Sequence, residues 1–272
     1  SIVMIEEETF YECRSLEEFV IPDGLRFIEK NAFSRCSSLK EIAIPASVKS
    51  VGQNSFNECS SLSKIIIDPF LTEFESSAFQ NCESMKYLVI TSSIKIIDRI
   101  YFNQIKQFSS IELPSTVTTI SNNAFSEFSN LSSINIPSSV TSIGSNAFYK
   151  CSQLKEIALP SSMTIIENNV FSECSSLIKV AIPSSITQIK GSAFHNCASL
   201  IDINIPSSVS VIENDAFSGC SSLLQVIIPS KITLIKARTF SCCESLNSIS
   251  IPKSVKIIED YAFNKCKDLK RI

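Results

Sequence analysis

The 272-residue sequence has no Trp, a single His and five Gly. One imidazole excludes a His-rich metal site and every two-His zinc motif. So few glycines leave no Gly-rich loop to wrap a phosphate. No apolar run approaches the roughly 18 residues of a membrane span. The first ten residues, Ser1 to Phe10, lack a basic segment followed by an apolar stretch, so they do not read as a signal peptide. Charge of one sign is also missing: 24 Lys and Arg stand against 27 Asp and Glu, for a net charge of −3. A basic face for nucleic acid is therefore not expected. With 44% hydrophobic and 19% charged residues, the chain is too apolar to stay disordered.

What is present is a repeat. Phe recurs every 23 residues at 10, 33, 56, 79, 102, 125, 148, 171, 194, 217, 240 and 263. Six residues after each Phe stands an apolar residue, from Leu16 through Met85 and Phe108 to Leu269. No residue is inserted or lost between copies, so the array is expected to be one domain over 1–272. An array that buries its core only by stacking neighbours is quasi-one-dimensional, and length does not divide it into globular domains.

One copy, starting at Leu131, reads LSSINIPSSVTSIGSNAFYKCSQ. Its first segment alternates apolar and polar up to Ile136, the pattern of a strand with Ile134 and Ile136 on a buried face. Pro follows in most copies (Pro137 here), and because Pro has no N–H it ends the ladder. Ser or Thr recurs two residues later, as in Ser47, Thr116, Ser139, Ser162, Ser185, Ser208 and Ser254, where a hydroxyl can bond backbone groups at the turn. The pair Val140 and Ile143 returns to the core. The copy closes on Asn146-Ala147-Phe148-Tyr149-Lys150-Cys151, which reads as a short helical turn with Phe and Cys on one face.

This pattern, I-P-x-S-V-x-x-I-x-x-x-A-F-x-x-C behind L-x-x-I-x-I, resembles the BspA-type leucine-rich repeat over essentially the whole chain. The resemblance implies an α/β solenoid: a right-handed horseshoe of about twelve 23-residue repeats with a parallel sheet on its concave face. The sequence departs from ordinary leucine-rich repeats where Ser or Thr replaces the Asn of their ladder. The family is typical of cell-surface proteins linked with adhesion to host proteins or cells. The resemblance thus implies a protein partner, such as a host surface or matrix protein, and a cell-surface or secreted location.

Copies four and five drift: Asp68 and Thr91 replace Pro, Ile105 and Phe128 replace Cys, and Tyr101 replaces Ala. Phe70, Phe74 and Tyr101 mark a possible contact patch there. Neither end carries a polar cap, so the parent chain is expected to continue past one or both.

Ten of the eleven Cys form a column with the same 23-residue register, interrupted at copies five and six; Cys242 alone is out of register. No C-x-x-C pair exists, so a zinc site is not expected. Stacked Cys would lie roughly 5 Å apart, within disulfide reach, so side-chain direction must keep them reduced. They are read as small buried apolar groups, with Cys242 the exposed, oxidisable thiol. His195, the only imidazole, is placed on an outer turn, and its neighbour Cys197 belongs to the buried column. No base, nucleophile and orienting group converge, so no catalytic, cofactor or metal residues are assigned and the chain is not expected to be an enzyme. The column Glu167, Lys190, Glu213, Lys236, Glu259 alternates in sign and predicts a surface ion-pair ladder.

Outward strand positions are mostly small or polar, as in Ser133 with Asn135. Two groups depart from that rule. Ile178, Ile201 and Leu224 follow the spine Leu in three successive copies, with Lys179 and Ile227 nearby; Lys64, Ile66, Tyr87 and Val89 gather in two adjacent copies. Contiguous exposed apolar residues mark interaction sites, so both groups are candidate partner-binding surfaces. The leading reading is a protein-binding module of the cell surface. An intracellular repeat scaffold is the alternative, and a carbohydrate-binding array is disfavoured by the lack of Trp.

Overall fold

The computed structural model describes residues 2–68, 73–75, 77–91, 94–101 and 106–272. The chain forms a parallel-strand β-solenoid of about 11 turns of about 23 residues each. It divides into two compact units, Ser1–Ile94 with Ile100–Pro114, and Lys95–Arg99 with Ser115–Ile272. No helix among the described residues is long and apolar enough to cross a membrane.

Most turns carry a longer and a shorter strand, and each kind stacks in parallel on its own kind. In the first unit the longer strands are Glu41–Ile44, Lys64–Ile67, Tyr87–Ile90 and Ser110–Glu112. Their register puts Ile42, Ile65, Leu88 and Ile111 in one buried row. The shorter strands Met4–Ile5, Phe27–Ile28, Ser50–Val51 and Glu73–Phe74 make a second sheet. In the second unit Glu156–Ala158 pairs with Lys179–Ala181, and Gln225–Ile227 pairs with Ser248–Ser250. Its short strands run from Ile96–Ile97 to Ile257–Ile258 in three groups. The segment around Val140 and Ile143 was expected only to return to the core. In fact it builds this second sheet, because its alternation is too short to read as a strand yet repeats on every turn. Ile134 and Ile136 are buried, as their phase in the first segment predicts.

The third side of the turn corrects the α/β expectation. Among the described residues the only helical element is the 3-10 turn Arg99–Tyr101. The segment around most of the described spine Phe residues is not helical because the residues two before and two after it lie in the left-handed region. Asn146 and Lys150 have φ of 58° and 60°, and Asn169 and Glu173 have 54° and 61°. Consecutive amides then point alternately along the chain and across to the next turn. Ala147, Tyr149 and Cys151 donate to carbonyls three residues back, whereas Asn146, Phe148 and Lys150 donate to Asn168, Val170 and Ser172 at 2.9–3.0 Å. Asn tolerates the left-handed region because its short polar side chain can bond locally. Asn before A-F is therefore a turn signal rather than a helix signal.

The Phe column is a stacked spine in each unit. Phe10, Phe33, Phe56 and Phe79 follow one another with ring centroids 4.9–5.1 Å apart and planes within 12°. From Phe125 to Phe263 the separations are 5.3–5.7 Å. Centroid distances in this range fit offset stacking of near-parallel rings. Phe102 lies outside the described residues.

Candidate protein-binding surfaces

The cysteine column has a backbone role. Each thiol from Cys36 to Cys82 and from Cys151 to Cys266 donates its S–H to the carbonyl of the spine Phe one turn back, at 3.0–3.2 Å. That carbonyl already accepts the N–H of the residue three further on in its own turn; Phe171 O, for example, takes both Cys174 N and Cys197 Sγ. The thiol thus fills the second lone pair of a buried carbonyl, and its direction explains why no disulfide forms: all eleven Cys are free. Burial pushes Cys36 and Cys266 up to about 11, and Cys82, Cys174 and Cys220 up to about 12. Burial raises Cys151 and Cys197 well above the ordinary thiol range as well. The expectation for Cys242 needs correction: it is half-buried, and Cys13 is the exposed thiol.

A Ser column also bonds the neighbouring turn, at another corner. Ser139, Ser208 and Ser254 donate to Val117 O, Ile186 O and Ile232 O one turn back at 2.6–2.8 Å, and Ser162 donates to Val140 O. These hydroxyls stand in place of an Asn ladder.

Charges on the outside pair mainly with the next turn. Arg35 bridges Glu12 at 2.8 Å and Glu58 at 3.1 Å, Lys40 bridges Glu17 at 2.6 Å, and Arg238 bridges Asp215 at 2.8 Å. The Arg35 guanidinium holds Glu12 below the usual carboxylate range. Of the expected alternating ladder, Lys236 pairs with Glu213, but Glu259 accepts the Ala237 N–H at 2.9 Å instead. No group of three or more His, Cys, Asp or Glu able to hold a metal occurs among the described residues. His195 is half-buried, and its Nδ1 has no partner.

The structure brings the first candidate group together. Lys64 pairs in register with Tyr87, and Ile66 with Val89. Tyr87 is exposed, Ile66 and Val89 are half-buried, and Lys64 bridges Glu41 at 3.6 Å. In the neighbouring irregular patch, Phe74 is half-buried with its ring 5.7 Å from the spine Phe79, so it leans on the core. Phe70 and the Tyr101 side chain lie outside the described residues.

The second group stands out further. Ile178, Ile201 and Leu224 are 44–47% exposed and Ile227 is 73% exposed. Each of the first three follows a fully buried Leu (Leu177, Leu200, Leu223), so the backbone turns it outward at the same place on three successive turns. The Leu224 N–H donates to Ile201 O at 3.0 Å, and Lys179 is exposed beside Ile178.

Sequence reasoning missed a cleft in the first unit. It measures about 520 Å³, and its lining includes Val20, Ala43 and Ile66, at one repeat position on three successive turns. Glu18, Asp23, Glu41 and Asp68 line its rim. The available signal was the column two residues after the spine Leu, where Glu18 precedes Glu41.

A family model described as a BspA type leucine rich repeat region, in 6 copies, matches residues 1–109, 95–223 and 188–272. Among solved structures, a leucine-rich repeat protein from Bacteroides ovatus is 27% identical over 99% of this chain and 82% of its own, with a TM-score of 0.60. A leucine rich cell surface protein from Faecalibacterium prausnitzii is 29% identical over 99% of this chain and 82% of its own, with a TM-score of 0.48. A comparison with curated proteins returns no match.

Proposed function

This chain belongs to the BspA-type leucine-rich repeat family, and from that premise we propose that it is a non-enzymatic protein-binding module, at the cell surface or secreted, acting in adhesion or host interaction. The carrying observation is the aliphatic column Ile178, Ile201 and Leu224, extended by Ile227 and flanked by Lys179. It stands 44–73% exposed on a backbone fixed by buried neighbours. Leaving such side chains in water is unfavourable, and a contiguous patch of them marks an interaction surface. Rigid presentation lowers the entropy a partner must overcome. Lys64, Ile66, Tyr87 and Val89 form a second surface on which Tyr offers both apolar area and a hydroxyl. The uninterrupted 23-residue register favours residues 1–272 acting as one array.

The test uses Ile201→Asp and Tyr87→Ala separately, with folding checked by circular dichroism and binding measured on host cells or a purified matrix protein. Ile201→Asp is expected to weaken binding by about tenfold or more, the size of an interface hot spot. Unchanged binding in both variants refutes the assignment of these surfaces. Biotinylation of intact cells with a membrane-impermeant reagent is expected to label the chain; an unlabelled chain would place it inside the cell.

A further inference from the structure

Opposite charges one turn apart commonly meet on the exterior, as in Lys40 with Glu17 at 2.6 Å, Arg35 with Glu58 at 3.1 Å and Lys267 with Glu244 at 2.8 Å. One column of the second unit departs from this pattern. Glu156, Lys179 and Asp202 stand at one repeat position on three successive turns, alternate in sign and are all exposed. Glu156 pairs with Lys179 in strand register, yet among the described residues no ion pair engages any of the three. The column runs beside the aliphatic one, since Lys179 follows Ile178 and Asp202 follows Ile201 in the chain. A depression of about 320 Å³ opens beside Glu156 and Lys179, lined also by Ile157, Ala158 and Ala181.

The spacing of these columns selects the shape that fits them. Turns stack at roughly 4.8 Å, so Ile178, Ile201 and Leu224 span roughly 10 Å. An α-helix rises about 1.5 Å per residue, so its positions i, i+3 and i+7 span about 10.5 Å on one face. An extended segment sets same-face side chains about 6.7 Å apart, and three of them span about 13 Å. The aliphatic column therefore matches a helix laid across the strands better than an extended segment. On such a helix, positions i−3, i+1 and i+4 form a second stripe beside the aliphatic one, again about 10.5 Å long. Over Glu156, Lys179 and Asp202, complementarity requires that stripe to read cation, anion, cation. The small Ala158 and Ala181 leave room there for long side chains. The opposite order meets a like charge on each of the three turns and is selected against.

We infer that this surface docks an amphipathic α-helix of a partner protein, with aliphatic residues at i, i+3 and i+7 and an acidic side chain between two basic ones on the adjoining stripe. The inference names the kind of partner for the Ile201 surface and rests on the reading of the chain as a binding module. Its test turns on helicity and charge order, neither of which that reading uses.

The probe is a fluorescein-labelled, Ala-rich helical peptide with Leu at i, i+3 and i+7, Lys at i−3 and i+4, and Glu at i+1. A helix can lie along the column in either direction, so the same sequence written backward is the second probe. Both are followed by anisotropy against the full chain at about 50 mM salt, where charge is weakly screened. Beside each stand a version with every charge reversed and one with Pro at its centre, which breaks the helix. One of the two probes is expected to bind, and its charge-reversed and Pro versions to bind at least about tenfold more weakly. The variant Glu156→Lys/Lys179→Glu/Asp202→Lys, at three exposed sites, is expected to invert the charge preference. Lys179→Glu alone is expected to reduce that preference below about threefold. Circular dichroism checks the fold of both variants. Binding of neither probe, equal binding of the charge-reversed version, or an unchanged preference in the variants would overturn the proposal. Equal binding of the Pro version would remove the helix. If neither probe binds while Ile201→Asp still weakens binding to host cells, the module reading stands without a helical partner.

Discussion

Phe148→Ala tests the spine where it is best defined. Phe148 is fully buried between Phe125 at 5.4 Å and Phe171 at 5.6 Å. Removing a buried Phe ring costs about 3–5 kcal/mol, depending on how far the site collapses. Here collapse is blocked. Phe125 N donates to Ala147 O at 2.8 Å and Phe148 N to Val170 O at 2.9 Å, so backbone bonds on both sides hold the turns apart. The two flanking rings also lose a stacked partner, about 0.5–1.5 kcal/mol each. The loss should therefore sit near the top of the range, at about 5 kcal/mol. Lys190→Ala, half-buried on the outside, should cost under about 1 kcal/mol. Urea unfolding followed by far-UV circular dichroism measures both. With a slope of about 3 kcal/mol/M, Phe148→Ala lowers the midpoint by about 1.5–2 M. A loss below about 1.5 kcal/mol for Phe148→Ala, or an equal loss for Lys190→Ala, would show that the spine does not hold the turns as argued.

Two further predictions concern the backbone and the thiols. Asn169 sits at φ 54°; Asn169→Ala should cost about 1 kcal/mol and Asn169→Gly much less, and equal losses would show that the side chain, not the left-handed backbone, matters. For the thiols, Cys174 and Cys220 are raised by burial from 9.0 to about 12. Below the unfolded value both states are protonated and pH has no effect; above it the unfolded chain loses protons first, so stability falls as pH rises from about 9 toward 12. Each thiol contributes about 1.4 kcal/mol of loss per pH unit in that window. Reduced protein should thus have a lower urea midpoint at pH 10 than at pH 8. The Cys174→Ala/Cys220→Ala variant should show a shallower slope, and an unchanged slope would contradict the buried-thiol account.

The period, the buried strand positions and the spine were legible because each depends on apolar residues at fixed spacing. Ile134, Ile136 and Phe148 needed only hydrophobic phase to be placed. The third side of the turn was not legible as what it is. N-A-F-x-x-C fits a helical turn by side-chain spacing alone, and the left-handed conformation of charged residues such as Lys150 and Glu173 leaves no compositional mark. Only Asn before the Phe, and Gly219 at φ 78°, hinted at it. The two aliphatic groups were legible because they broke the rule of polar outward positions. The cleft was not, since Val20 and Ala43 are unremarkable until the repeat register places them in one column with Ile66.

The thiol and hydroxyl columns both tie a backbone carbonyl to a small donor on the neighbouring turn. Each spine Phe carbonyl that takes a thiol also accepts one N–H from its own turn, and the thiol occupies its second lone pair. Leaving buried polar groups unsatisfied is costly, so each corner needs a small donor from the neighbouring turn. Beside the Phe spine the space is apolar and closed, and a thiol fills it at 3.0–3.2 Å without demanding a partner of its own. At the Pro corner, Ser139, Ser208 and Ser254 are half-buried, and a hydroxyl donates inward while its lone pairs remain able to accept. Where Phe128 takes the cysteine position, that side chain cannot donate, and its ring instead packs edge-on against Phe125 at 5.6 Å. At that site the repeat gives up the hydrogen bond and gains an aromatic contact in its place.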